Sequence, residues 1–145
     1  VLQPNFNLID FDSMNNDLYN LAKEENLAIM AYSPLAGGFL SGKYRSGQKP
    51  PKKSRGDIKM DWEVKRWEWR FSQYGYKVLG QIEKLALKYN ATPAQIAISF
   101  LLTYSQVTTV IIGAKNLDQL SENVDIINVE KEDIDILKNI SVLMP

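Results

Sequence analysis

Leu27-Ala28-Ile29-Met30-Ala31-Tyr32-Ser33-Pro34-Leu35-Ala36-Gly37-Gly38 begins as an unbroken apolar run and stops at a Ser-Pro pair, beyond which two glycines stand together. A run without polar alternation is what a parallel strand needs when both of its faces are covered. Residues 108–112, Thr-Thr-Val-Ile-Ile, repeat the pattern and close on Gly113-Ala114. Residues 1–8 read as a third strand, entered through Val1-Leu2-Gln3 with Phe6 and Leu8 following. Between the strands the spacing is helical. Asp10 and the following residues to Ser13 supply turn and N-cap chemistry for a helix with Met14, Leu18, Leu21 and Ala22 on one stripe. Val78, Ile82, Leu85, Ala86 and Tyr89 mark another over residues 73–89. Thr92-Pro93-Ala94-Gln95 is a capping box with proline at the first helical position. Asn116-Leu117-Asp118-Gln119 opens a further capped helix, and residues 130–143 give the last.

The order β-α-β-loop-α-α-β-α-α predicts an α/β fold with a parallel sheet. Residues 36–60, rich in Gly, Pro, Ser, Lys and Arg, carry no periodicity and read as a long loop of the kind that serves function. Residues 61–71 mix Trp62, Trp67, Trp69 and Phe71 with charges and read as a helical piece packed on the main body or covering a site. Three parallel strands cannot cover their own faces and edges. Part of the sheet is therefore expected outside these 145 residues, and a start inside a strand without methionine suits a fragment.

Composition narrows the chemistry. Hydrophobic residues make up 45% and charged residues 23%, the proportions of a globular domain. Seventeen basic residues balance seventeen acidic ones, so no global basic surplus points to nucleic acid and any anion site must be local. The absence of cysteine removes disulfides, thiolate nucleophiles and cysteine-ligated metals, and the absence of histidine removes the commonest base and metal ligand. No apolar run nears the roughly 20 residues of a membrane span, and no signal peptide is visible. The expected setting is cytoplasmic, with no metal and no membrane association.

Two segments carry recognisable chemistry. The first is the strand end Ala31-Tyr32-Ser33-Pro34-Leu35-Ala36-Gly37-Gly38-Phe39-Leu40-Ser41-Gly42-Lys43-Tyr44. Ligands of parallel α/β folds sit at such carboxyl ends, glycines admit a pyrophosphate to the backbone, Tyr32 offers a ring face, and Lys43 and Arg55 offer positive charge. By itself the segment reads more readily as a tight turn with a buried tyrosine. The second is Val110-Ile111-Ile112-Gly113-Ala114-Lys115-Asn116-Leu117-Asp118-Gln119-Leu120-Ser121-Glu122-Asn123, a strand feeding a helix N-terminus, where orphan N–H groups and the helix dipole favour phosphate. Gln119 and Asn123, four apart, share a face that suits an adenine or ribose; a capped surface helix accounts for the same residues.

In combination, AYSPLAGG-x-L-S-G-KY, PP-x-x-SR, TPAQ-x-A-I and VIIGA-x-x-x-x-QL-x-EN resemble the carboxy-terminal half of the aldo-keto reductases over essentially the whole chain. The spacing is most similar to the branch holding general bacterial and archaeal reductases and potassium-channel beta subunits. That resemblance implies a (β/α)8 TIM barrel, of which residues 1–145 would be the C-terminal cofactor-binding portion with the last three strands and their helices. Residues 36–60 would be the cofactor and substrate loop. It implies NADPH as cofactor and a small-molecule carbonyl as substrate. Gln3 would hold the nicotinamide carboxamide and Tyr32 would stack on the ring. Ser33, Pro34, Leu35, Ala36 and Gly37 would wrap the pyrophosphate, with Lys43 and Arg55 near the phosphates. Gly113, Lys115, Gln119, Glu122 and Asn123 would hold the adenosine end, Lys115 favouring NADP through the ribose 2′-phosphate. The family's catalytic aspartate, tyrosine, lysine and histidine belong to earlier strands. Nothing here matches them, nor the Ser-Asn pair of the preceding strand, so no catalytic residue is assigned and the amino-terminal half of the same barrel becomes the expected partner. A nucleotide-binding regulatory subunit like the channel-associated branch is the alternative, with residues 62–71 as a contact surface. A third reading is a truncated remnant with a structural role.

Overall fold

The computed structural model describes residues 1–10, 16–58 and 60–142. Two strands, β1 (Ile29–Tyr32) and β2 (Val107–Ile111), pair in parallel with Ile29 opposite Val107 and Tyr32 opposite Ile111. A bulge interrupts the register between Ile29 and Met30. Ile29 N–H donates to Gln106 O at 2.7 Å, and the Thr108 hydroxyl donates to Ile29 O at 3.3 Å, so the extra residue of β2 keeps the irregular carbonyl satisfied.

The third expected strand is present only as hydrogen bonding. Leu2 and Asn5 form parallel bridges to Ile29 and Tyr32. Leu2 O accepts from Met30 N, Pro4 O accepts from Tyr32 N, and Phe6 N donates to Tyr32 O, each at 2.9–3.0 Å. Pro4 has no N–H to add, which limits the ladder between the two bridges. The burial of the strands also departs from expectation. Ile29 and Ala31 are buried while Met30 is half-buried and Tyr32 exposed, and in β2 only Val107 is buried. Helices of this chain cover one face of the pair, and an apolar strand composition does not by itself say that a second layer is supplied by the same chain.

The helices are α1 (Asn16–Glu24), α2 (Arg55–Ile58), α3 (Val64–Arg70), α4 (Gln73–Lys88), α5 (Pro93–Leu102), α6 (Leu117–Val124) and α7 (Lys131–Val142). Helix α5 is apolar all round, with Ala94 through Leu101 buried, as a helix packed on several sides must be. It lies against α4, β2, α6 and a 3-10 helix over Ala36–Ser41. Both bonds of its capping box form: Gln95 N to Thr92 Oγ1 at 3.2 Å, and Thr92 N to Gln95 Oε1 at 2.8 Å. The Gln95 amide also donates to Asp125 O and Oδ2, and Ser99 Oγ accepts from Ile127 N. Two polar residues of an apolar helix thereby hold the connection between α6 and α7.

Helix α4 buries Val78, Ile82, Leu85 and Ala86 as its spacing predicts. In α1 the predicted stripe holds for Ala22 and partly for Leu18, but Leu21 is 48% exposed; Met14 and the cap at Ser13 lie outside the described residues. The segment of residues 36–60 is more ordered than its composition suggests. Phe39, Leu40 and Tyr44 are in the core, Phe39 stacked on Tyr44 at 5.9 Å, and the Tyr44 hydroxyl accepts from Gly56 N. Helical turns of four to six residues are too short to leave a period, so the order is invisible in the sequence. Trp67 is fully buried among Tyr44 and Phe71, which makes this part of the aromatic segment core rather than contact surface.

Lys88 at the end of α4 bridges to Glu130 and Asp133 at 2.8 and 2.6 Å, and Tyr89 donates to Asp133 at 2.5 Å. The Lys88 and Tyr89 hydrogen bonds hold the Asp133 carboxyl below the ordinary carboxylate range. A depressed folded value stabilises the fold above the unfolded value and loses that contribution as pH falls through the folded one. Thermal melts of Asp133→Asn should therefore lie below wild type at neutral pH and converge on it in strong acid. Thr92→Ala removes one cap bond and should cost about 1 kcal/mol, a drop of roughly 2–4 °C in Tm for a chain of this size.

Candidate functional site

Because β1 and β2 are parallel, their carboxyl ends open on the same end of the sheet. Tyr32, the last residue of β1, is 46% exposed there, so the buried-tyrosine reading of this segment fails and the ring face is accessible. The chain then enters a turn with four residues in left-handed conformation: Ser33 (φ 56°), Ala36 (φ 49°), Gly37 (φ 67°) and Gly38 (φ 89°). For the two residues that carry a Cβ this costs on the order of 1–3 kcal/mol each. Five hydrogen bonds hold it. Ala36 N donates to Ser33 O at 2.9 Å, Gly37 N to Ser33 Oγ at 3.3 Å, and Gly38 N and Leu40 N to Leu35 O at 2.8 and 3.2 Å. Ser41 Oγ donates to Gly38 O at 2.8 Å.

Lys43 folds back over this turn. A Cβ placed on Gly38 would stand 2.6 Å from the Lys43 ammonium. Desolvation there, then the charges of Lys115 and Arg55, hold Lys43 below the usual lysine range. Residues 43, 55 and 115 come from three separate places in the chain, yet their charges are close enough to repel. Such a cluster favours an anion, which would relieve both the repulsion and the depressed lysine.

At the end of β2, Gly113, Ala114 and Lys115 are exposed. Asn116 caps α6, its Oδ1 accepting from Gln119 N at 2.9 Å, while Gln119 Oε1 accepts from Lys115 N at 3.0 Å. Gln119 thus fixes the backbone that carries Lys115. Glu122 is half-buried and Asn123 buried, so on this helix face Gln119 is the polar side chain that meets solvent. Of the remaining expected residues, Gln3 is exposed between the bridges at Leu2 and Asn5, Pro34 and Ala36 are buried within the turn, and Leu35 is half-buried. The structure brings the 33–43 turn, Arg55 and Lys115 together; Gln3 lies on the neighbouring extended segment, next to Pro4, whose carbonyl accepts from Tyr32 N.

Sequence reading did not find what lies under the turn. Arg70, 1% exposed, pairs with Asp10 at 2.5 Å across sixty positions. Asn7 Nδ2 donates to Asp10 Oδ2 at 3.3 Å and to Ser33 O at 3.1 Å, and Asn7 Oδ1 accepts from Ile9 N and Asp10 N. Asp10 is therefore a buried ion-pair partner; the N-cap chemistry expected over the next residues falls outside the described ones. The trace in the sequence is faint: Asp10 closes the stretch Phe6 to Asp10, and Arg70 stands with Glu68 among the aromatic residues from Trp67 to Phe71.

Among the described residues no helix is long and apolar enough to cross a membrane. The model of the aldo/keto reductase family matches residues 1–142. A voltage-gated potassium channel subunit beta-like protein of Schizosaccharomyces pombe is 30% identical over 143 residues, 98% of this chain and 41% of that protein. The aldo-keto reductase yakc [NADP(+)] of the same yeast is 31% identical over 77% of this chain and 31% of its own length. The L-glyceraldehyde 3-phosphate reductase of Escherichia coli K12 is 30% identical over 87% of this chain and 36% of its own. The crystal structure of a thermostable aldo-keto reductase with the inhibitor epalrestat superposes with a TM-score of 0.65 at 20% identity, over 95% of this chain and 38% of that one. The chain thus spans well under half the length of these relatives, and throughout that span it belongs to the aldo-keto reductase family.

Proposed function

We propose that residues 1–145 hold NADPH for an oxidoreductase that reduces aldehydes or ketones. The observation that carries this reading is the convergence of Lys43, Arg55 and Lys115 beside the left-handed Ser33–Gly38 turn. The diphosphate would lie against the turn under Lys43 and Arg55, with Ser33, Pro34, Leu35, Ala36 and Gly37 as its wall. Tyr32, exposed at the strand end, would stack on the nicotinamide and select the ring face that passes hydride. Gln3, on the adjoining extended segment, would take the carboxamide. Lys115 would meet the ribose 2′-phosphate, with Gly113, Gln119, Glu122 and Asn123 around the adenosine. The naming of one relative for NADP(+) supports this choice.

The cofactor supplies the hydride. A group elsewhere must protonate the developing alkoxide, and no residue of this chain is assigned that task. In this reading the chain is the C-terminal part of a (β/α)8 barrel in the cytoplasm, and the catalytic residues belong to the portion of the relatives that it does not span. Residues 1–145 alone are inactive in this reading. The similarity to a channel subunit beta-like protein favours a second reading, in which nucleotide occupancy modulates a partner and turnover is negligible. Aldehyde reduction by the completed barrel separates the two.

Titration of the full chain with NADPH and NADH, followed by nucleotide fluorescence, tests the cofactor assignment. NADPH should bind more tightly. Lys115→Ala should weaken NADPH by about tenfold, equivalent to ~1.4 kcal/mol, and leave NADH unchanged. Equal affinity for the two nucleotides, or no binding of either, would sink it.

A further inference from the structure

The proposed phosphate turn rests on a buried ionic network. Arg70 lies at the end of α3, stacked on the Trp67 ring at 4.8 Å, and both side chains are sealed from solvent. An ideal Cβ on Gly37 would come within 3.1 Å of Arg70 Nη1 and of Trp67 Cζ2, so the absence of a side chain at Gly37 is what lets the turn settle on this pair. At its other end the turn is held by Ser33 O, which accepts from Asn7 Nδ2, itself bound to the carboxylate that pairs with Arg70. Arg70 and Trp67 thus lie against Gly37 while Asn7 holds Ser33, and Asp10 joins the two through its bonds to Arg70 and Asn7. The arrangement is expensive. Among the described residues, Arg70 Nε, Arg70 Nη1 and Trp67 Nε1 are buried with no hydrogen-bond partner. Apolar residues of similar volume could fill such a site at equal or better stability. A charge kept buried with unmet donors calls for a reason other than stability.

We propose that the Asp10–Arg70 ion pair, through Asn7 and Gly37, is a positioning device that fixes the Ser33–Gly38 turn in the conformation that receives the diphosphate, without touching the nucleotide. The inference rests on the nucleotide reading given above. It makes the diphosphate half of the site dependent on residues 7, 10 and 70, and leaves the Lys115 half, held by Asn116 and Gln119, independent of them.

Two ligands separate those halves: NADPH, which must engage the turn, and adenosine 2′-monophosphate, which carries the adenosine end and neither phosphate of the diphosphate. Wild-type full chain is titrated with both; failure to bind NADPH at this stage would count against the nucleotide reading itself. The double variant Asp10→Leu/Arg70→Met removes both charges together, so that neither is left buried alone. Asn7→Asp keeps the acceptor for Ile9 and Asp10 N–H and deletes the amide donor that serves Ser33 O, Asp10 Oδ2 and Asn5 Oδ1, leaving the Asp10–Arg70 pair itself in place. In either variant NADPH affinity should fall by about tenfold or more, while adenosine 2′-monophosphate binds as in wild type. Wild-type affinity for both ligands in both variants would overturn the proposal. So would loss of both ligands together, which is the signature of a pair that merely holds the fold.

Discussion

The parallel pairing of β1 with β2 is the constraint on which the rest depends. Parallel strands deliver their carboxyl ends to one side, so the segments that follow them, residues 33–43 and 113–119, emerge as neighbours although some seventy positions separate them. Helix α5 maintains the pairing. It is apolar on all sides, packs on β2 and on the 3-10 helix after β1 at once, and is started by a doubly satisfied capping box. The backbone bulge at Ile29 and Met30 adjusts the register without leaving Ile29 O unpaired.

Above the turn after β1 stand three cations, and beneath it one buried ion pair. These are different electrostatic situations. Lys43, Arg55 and Lys115 are exposed, and desolvation, then the charges of Lys115 and Arg55, hold Lys43 below the usual lysine range. Arg70 is neutralised by Asp10 in a dry setting, where breaking such a pair by removing one partner typically costs about 3–5 kcal/mol. The upper group is suited to a ligand that arrives with negative charge; the lower one can hold backbone geometry in its absence. A turn that is itself strained at Ser33 and Ala36 needs that second support.

The whole of this arrangement falls within the span matched by the aldo-keto reductase family. In the proposed reading the matched span supplies residues that hold the dinucleotide, and none of its residues is assigned the proton transfer.

Local signals in the sequence determined much of this: the apolar runs of both strands, the Thr92 and Asn116 caps, the α4 stripe and the two glycine-bearing strand ends are all written in residues near one another. Each follows from backbone hydrogen bonding or side-chain periodicity, which act over a few positions. Other features were settled only by tertiary structure. Residues 1–8 lost their full strand to the missing N–H of Pro4, the outer strand faces stayed uncovered, and residues 36–60 gained short helices and a buried Phe39 and Tyr44. The Asp10–Arg70 pair depends on a contact across sixty positions, and the clustering of Lys43, Arg55 and Lys115 on the meeting of two strand ends. Burial and charge proximity are properties of distance in space, and no spacing along the chain encodes them.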